Sequence, residues 1–282
     1  MIFDAHCHIN EESFSAEDRQ ALIDSLDANP AMAGVVDAGY DLPSSWRAVE
    51  NSARSSRIYA AVGIHPHAAV TFREEDLEVL ARLAEDKRVV ALGEIGLDYH
   101  YETTDKPAQH RCFRAQIRLA NRLRMPVVIH ARDAGEDTLR ILREEGAFSE
   151  ERTSFFPTRP GPDGQAWPDA RVYMHCFSGS RELGMEYVRA GATLGIAGPV
   201  TYKNNRKTVQ LVAHIPLECL LAETDSPYLS PVPLRGKPNR PWFCTHTIRK
   251  IAEIKDISYQ EAESQTCRNA LRFYKLEPGR PA

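Results

Sequence analysis

Short apolar runs alternate with stretches of helical spacing along most of this chain. The runs Met1–His8, Met32–Ala38, Ile58–His65, Val89–Leu97, Pro126–His130, Arg171–Phe177, Ala192–Ala197 and Leu220–Thr224 predict eight strands. Between them, Ala16–Ala28, Pro43–Ser55, Glu74–Asp86, Lys106–Arg124, Ala134–Glu145, Arg181–Ala190 and Asn205–Ala213 carry helical periodicity. Glu74–Asp86 shows why: Glu74, Glu75 and Asp76 fall in its first turn, Lys87 and Arg88 follow its end, and Leu77, Leu80, Ala81 and Ala84 form one apolar stripe. Two further helices follow the last strand, one over Cys244–Lys255 and one opened by Ser258 and Glu261 at capping-box spacing and running to about Tyr274.

Strands that each precede a helix predict an α/β fold, a (β/α)8 TIM barrel in preference to an open doubly wound sheet, with chemistry at the C-terminal ends of the strands. One stretch breaks the rhythm. Gly146–Ala170 contains Pro157, Pro160, Gly161, Pro162, Gly164 and Pro168, and reads as a loop insertion on a helix-to-strand connection, the face opposite the chemistry. With no internal repeat and no linker, residues 1–282 read as a single domain.

Composition changes this picture little. Hydrophobic residues at 43% and charged residues at 26% describe an ordinary globular chain, and a net charge of −4 argues against nucleic-acid binding through a generally basic surface. No apolar run approaches the roughly 18 residues of a membrane span, and no basic-then-apolar leader opens the sequence, so a cytoplasmic location is expected. A monomer is favoured, although nothing in the sequence reports assembly. The six cysteines form no C-x-x-C pair, which suits reduced, packed thiols; Cys7 is expected to face away from its histidine neighbours.

The strand ends are unusually rich in possible metal ligands. The first delivers His6 and His8, which share a face at i and i+2; the third delivers His65 with His67 beyond it; the fourth, Glu94; the fifth, His130; the sixth, His175; and the eighth, Glu223 and Asp225. Any one of these histidines is explained equally well as a buried, hydrogen-bonded side chain, but together they predict a metal site. Histidine with carboxylate suits zinc, manganese, nickel, cobalt or iron, and magnesium only where nitrogen ligands are tolerated. Four histidines and two carboxylates exceed one closed site, so two ions about 3.5–4 Å apart are expected, with Glu94 as the bridge. Asp225 is the candidate general base, and Glu223 is a candidate to orient a histidine or line the substrate site.

Asp4-Ala5-His6-Cys7-His8, Gly63-Ile64-His65-Pro66-His67, Gly93-Glu94-Ile95-Gly96-Leu97-Asp98-Tyr99, His130-Ala131-Arg132, His175-Cys176-Phe177-Ser178-Gly179 and Glu223-Thr224-Asp225-Ser226-Pro227-Tyr228-Leu229, with Asn269 beyond, resemble the TatD family of metal-dependent deoxyribonucleases, within the amidohydrolase-like barrels. The resemblance implies two divalent ions (Mg, Mn or Zn), one held by His6, His8, Glu94 and Asp225 and the other by Glu94, His130 and His175, with His65 and Arg132 near a substrate phosphate. It implies hydrolysis of DNA from the 3′ end by a metal-activated water, with Asp225 and Glu94 as the catalytic pair. Arg132, Lys203, Arg206, Lys207, Arg235 and Lys237 follow strand ends and are candidates to meet phosphates, one or two of them in direct contact. Two departures, Asn239-Arg240-Pro241 where the family often has an acid, and His100-Tyr101-Glu102 without the arginine frequent there, bear on the substrate groove. Hydrolysis of a small cyclic amide, lactone or phosphoester is the alternative, since the same metal chemistry serves carbonyls; a non-catalytic protein with a stabilising metal is a third reading.

Overall fold

The computed structural model describes residues 1–101, 105–161 and 164–276; Glu102 and Pro162 lie outside the described residues. Eight strands, β1 (Ile2–Cys7), β2 (Met32–Ala38), β3 (Ile58–Val62), β4 (Val89–Asp98), β5 (Val127–Arg132), β6 (Val172–Met174), β7 (Ala192–Ile196) and β8 (Leu220–Ala222), lie side by side in chain order and pair in parallel. Helices α1 (Ala16–Asp27), α2 (Leu42–Arg54), α3 (Asp76–Leu83), α4 (Lys106–Leu123), α5 (Gly135–Glu144), α7 (Arg181–Ala190) and α8 (Arg206–His214) alternate with them, and α9 (Cys244–Lys255) and α10 (Tyr259–Phe273) follow β8. This is the (β/α)8 arrangement expected.

The ring is completed between β1 and the chain just after β8 by a side chain together with backbone hydrogen bonds, among them that from the His8 amide to the Ser226 carbonyl at 2.8 Å. The buried Asp4 carboxylate accepts hydrogen bonds from the Thr224 amide (2.8 Å) and the Thr224 hydroxyl, and the Asp225 amide donates to the His6 carbonyl at 2.9 Å. Inside the barrel, Phe3, Ala5, Val36, Ala61, Val128, Tyr173 and Leu221 pack with Phe273 and Tyr274 at the end of α10, and the Tyr274 hydroxyl donates to the Ala5 carbonyl at 2.8 Å.

Several elements are shorter than the sequence predicts. β3 stops at Val62 because His65 caps the 3-10 turn Pro66–Thr71, its Nδ1 accepting the His67 amide. α3 begins at Asp76, where the Asp76 carboxylate accepts the Arg73 amide, and ends at Leu83. The 146–170 segment is an insertion on the connection between α5 and β6, as expected, and among its described residues it also contains ordered structure. It holds α6 (Glu150–Ser154) and a hairpin that pairs Arg159 with Trp167. The buried Arg152 donates to the carbonyls of Ala170 and Met125, and the buried Arg159 to those of Ala192 and Val188, at 2.6–2.9 Å. Met125 and Ala170 precede β5 and β6, Ala192 opens β7 and Val188 lies in the last turn of α7, so two arginines satisfy backbone acceptors at the end of the barrel away from the strand C-termini.

Replacing Asp4 with Ala strands the Thr224 amide and hydroxyl in a buried seam. Denaturant unfolding is expected to show a loss of about 2 kcal/mol or more, and an unchanged unfolding free energy would contradict the role given to this seam.

Candidate metal centre

Two strands carry one extra residue at the point where they reach the barrel mouth. On β1, Asp4 pairs with Val35 and Cys7 with Asp37, so Ala5 and His6 together face one β2 residue. On β4, Leu92 pairs with Val127 and Ile95 with Ile129, so Gly93 and Glu94 together face one β5 residue. A single-residue slip exchanges the faces of everything beyond it. Ala5 and Ala91 belong to the barrel interior, and strict alternation would turn His6 and Glu94 outward; the slips turn them in, and Cys7 outward into the layer beneath the helices. Gly93 makes the β4 slip possible, with φ of +150° and space so limited that a Cβ would lie 2.6 Å from the Val128 Cβ.

The result is a buried carboxylate with a donor group on each side. Glu94 Oε2 lies 3.5 Å from His6 Nε2 and 3.7 Å from His8 Nε2, while Asp225 Oδ1 lies 3.6 and 3.3 Å from the same nitrogens. Glu94 Oε1 faces His130 Nδ1 at 2.7 Å, His175 Nε2 at 3.0 Å and His65 Nε2 at 3.7 Å. His6, His8 and Asp225 converge closely enough for one ion, as do His65, Glu94 and His130.

The far side of most imidazoles is fixed. His8 Nδ1 meets the Ala38 carbonyl at 2.8 Å, which places its proton on Nδ1 and leaves a lone pair on Nε2. His175 Nδ1 lies 3.4 Å from Glu223 Oε2, and His130 Nε2 lies 3.1 Å from Asp98 Oδ2. His65 is the exception: its Nδ1 accepts the His67 amide at 3.1 Å, so the neutral ring carries its proton on Nε2 and presents a donor. This sets His65 apart from the ligands although its distance admits it.

The electrostatics fit a cation. His6 Nε2 and His8 Nε2 stand 3.2 Å apart, and the buried His6 Nδ1 has no hydrogen-bond partner among the described residues. Burial would keep His8 neutral, but its hydrogen bond to Asp225 and the charges of Asp225 and Glu94 push its pKa up to about 9. Burial opposes the charge on Glu94 as well, yet His175, His65 and His130 hold its pKa well below the usual range. The cluster therefore holds protons where a divalent ion would supply the same positive charge, and its nitrogen and oxygen donors suit such an ion.

The other expected residues divide. Arg132 is exposed at the lip of the cleft and, of the six candidate phosphate-binding cations, is the one among its lining residues. Arg235 instead stacks over Tyr202 and Arg240 over Phe14, while Asn239 ties the loop to the carbonyls of Thr224 and Tyr228. Glu223 does not line the substrate site: it is fully buried, accepting from the Tyr173 hydroxyl and the Cys176 amide beside His175, so every oxygen is committed inside the barrel. Sequence reasoning gave no role to Asp98, which is buried beside both His130 and His67, or to Tyr40 and Tyr228, which line the cleft; Tyr101, expected to bear on the groove, lines it too. Asp98 was open to detection, four residues after Glu94 on the same strand face. Among the described residues, no helix is long and apolar enough to cross a membrane.

Two outcomes are expected. Asp98→Asn should weaken divalent-metal affinity about tenfold or more, measured by calorimetry, while the melting curve of the metal-free protein changes little. Because His8 is raised from 6.5 to about 9, its stabilisation of the metal-free protein is full below pH 6.5 and is lost as pH rises through about 9. Manganese binding at pH 7 should accordingly release a proton, seen by titrating in buffers of different ionisation enthalpy, and tighten from pH 6.5 towards 9; an affinity flat over that window would contradict the assignment.

Relatives of the chain carry the same theme. The model of the family described as TatD related DNase matches residues 3–275. A Bacillus subtilis (strain 168) protein named uncharacterized metal-dependent hydrolase YabD is 38% identical, with 98% of this chain and 100% of the relative covered. The 3′-5′ ssDNA/RNA exonuclease TatD of Erwinia billingiae is 31% identical, with 98% and 99% covered. Among solved structures, the TatD homologue YjjV of Escherichia coli K12 aligns with a TM-score of 0.83 at 25% identity over 98% of each chain. With the whole barrel and its mouth matched in this way, the chain belongs to the TatD-related DNase family of metal-dependent hydrolases.

Proposed function

We propose that this protein is a deoxyribonuclease that hydrolyses phosphodiester bonds from the 3′ end of single-stranded DNA, with two divalent ions, Mg, Mn or Zn, at its centre. The observation that carries the reading is the division of Glu94, whose two oxygens face two separate sets of nitrogen donors. His6, His8, Glu94 and Asp225 would hold one ion, and Glu94, His130 and His175 the other. Such a pair supplies positive charge to the attacking and leaving oxygens of an in-line displacement and makes water acidic near neutral pH. The name of the Erwinia billingiae relative, an exonuclease acting on single-stranded DNA and RNA, supports the substrate class.

The chain's own groups supply the rest. Burial would raise the pKa of Asp225, but the hydrogen bond to His8 and the charges of His175 and His8 lower it, so it stands as a carboxylate that can take the proton of the attacking water. His65 is kept neutral by burial and by His130, and its Nε2 proton is directed to the cleft, where it can donate to a phosphate oxygen. Arg132 at the lip adds a fixed charge and a planar pair of donors for the same group. Residues 1–282 act in this reading as one catalytic unit.

Purified protein with manganese or magnesium and 3′-labelled single-stranded DNA should release labelled mononucleotides, and Asp225→Asn should slow release by about 10²–10⁴-fold with the circular dichroism spectrum retained. Turnover of a lactone or cyclic amide with no release from DNA would overturn the nuclease reading in favour of a carbonyl hydrolase. Arg132→Ala should raise KM more than it lowers kcat, because its contact with phosphate exists before and during the reaction.

A further inference from the structure

The cleft has two lobes that share His130, Arg132, His175, Asp225 and Tyr228, and they differ in chemistry. The larger, about 690 Å³, is lined by the carboxylates of Glu11, Asp41, Glu94 and Asp98 and the rings of Tyr40 and Tyr101. The smaller, about 400 Å³, has no charged side chain beyond the shared ones. Its walls are Phe177, Ala197, Pro199, Val200 and Leu229, of which Phe177, Ala197 and Val200 are buried. Ser178 and Thr208 also line it, each with a hydroxyl on its wall.

We propose that this neutral lobe is the subsite for the base of the terminal nucleoside, a reading that rests on the nuclease function. A phosphate held beside Arg132, His130 and His175 places the nucleoside attached to it in one lobe or the other. A nucleobase is uncharged, and its flat faces shed water against Phe177, Val200 and Leu229, whereas the larger lobe offers it four carboxylates beyond the shared Asp225. About 400 Å³ is room enough for one nucleoside beside the shared residues. Ser178 and Thr208 each offer a rotating hydroxyl that donates or accepts, so the lobe takes any base and reads none in particular. The expected specificity is for the presence of a base, with little preference among the four.

The test compares two single-stranded oligonucleotides that differ only at the 3′ terminus, one ending in a normal nucleotide and one in an abasic tetrahydrofuran unit, with the manganese-loaded wild-type protein. First release from the base-bearing end should be at least about tenfold faster in kcat/KM, the range expected for contact with one base. Ser178→Trp, at an exposed position on the wall, should fill the lobe, slow the base-bearing substrate by a similar factor and erase the difference between the two ends. Equal wild-type rates on both ends, or undiminished discrimination by a folded Ser178→Trp protein, would overturn the assignment. If that variant does not fold, the wild-type comparison decides alone. If neither oligonucleotide is cut, the nuclease reading itself falls, an outcome distinct from equal cutting of both.

Discussion

A carboxylate buried at the mouth of the barrel, Glu94, governs the arrangement around it. A charge taken out of water must be paired, and no lysine or arginine is placed to do so; five histidines surround it instead, with His6 and His8 toward one oxygen and His65, His130 and His175 toward the other. Histidines crowded this closely cannot all be protonated, and burial and mutual repulsion push the pKa of His6 and His65 down while the carboxylates raise those of His8, His130 and His175. The balance leaves protons on His8, His130 and His175, positive charge that a divalent cation would replace on binding.

That balance depends on groups that never reach the cleft. Glu223 sits behind His175 and in turn receives the hydroxyl of Tyr173, whose ring packs on Phe273 at the end of α10. A continuous column of packed side chains thus runs from the last helix through the barrel to the His175 imidazole. Asp4 performs the corresponding service at the seam, where it holds Thr224 between Glu223 and Asp225, just beyond β8. The barrel supplies rigidity, and the ends of its strands and the residues just beyond them supply the candidate donors at short distances from one another.

Much of this was visible in the sequence. Eight apolar runs marked the strands because a parallel strand is buried on both faces, and the ligand-bearing residues marked their ends because unrelated packing gives no reason to collect histidine and carboxylate there. The structure brings His6, His8, Glu94, His130, His175 and Asp225 together. The pieces that escaped notice had a physical reason to do so. Asp98 matters through contacts with His67 and His130, far away in sequence, whereas Glu223 does lie against His175 as its expected orienting role requires; the order within 146–170 comes from two buried arginines bonding to carbonyls such as those of Met125 and Ala192, outside the segment.

Residue identity and spacing by themselves determined the barrel, the ends at which chemistry gathers and the donor set, since these follow from periodicity and from what each side chain can ligate. Tertiary structure alone decided the direction in which those donors point. Strict alternation would have turned His6 and Glu94 toward the helices; one extra residue in each of β1 and β4, a cost borne by a glycine at position 93, turned them inward. Likewise the proton of His65 is placed by a backbone amide two residues on, and the neutral lobe beside the centre exists because β6, β7 and the loop after β8 meet there. Such choices rest on pairing register and on contacts between distant segments, which local pattern does not encode.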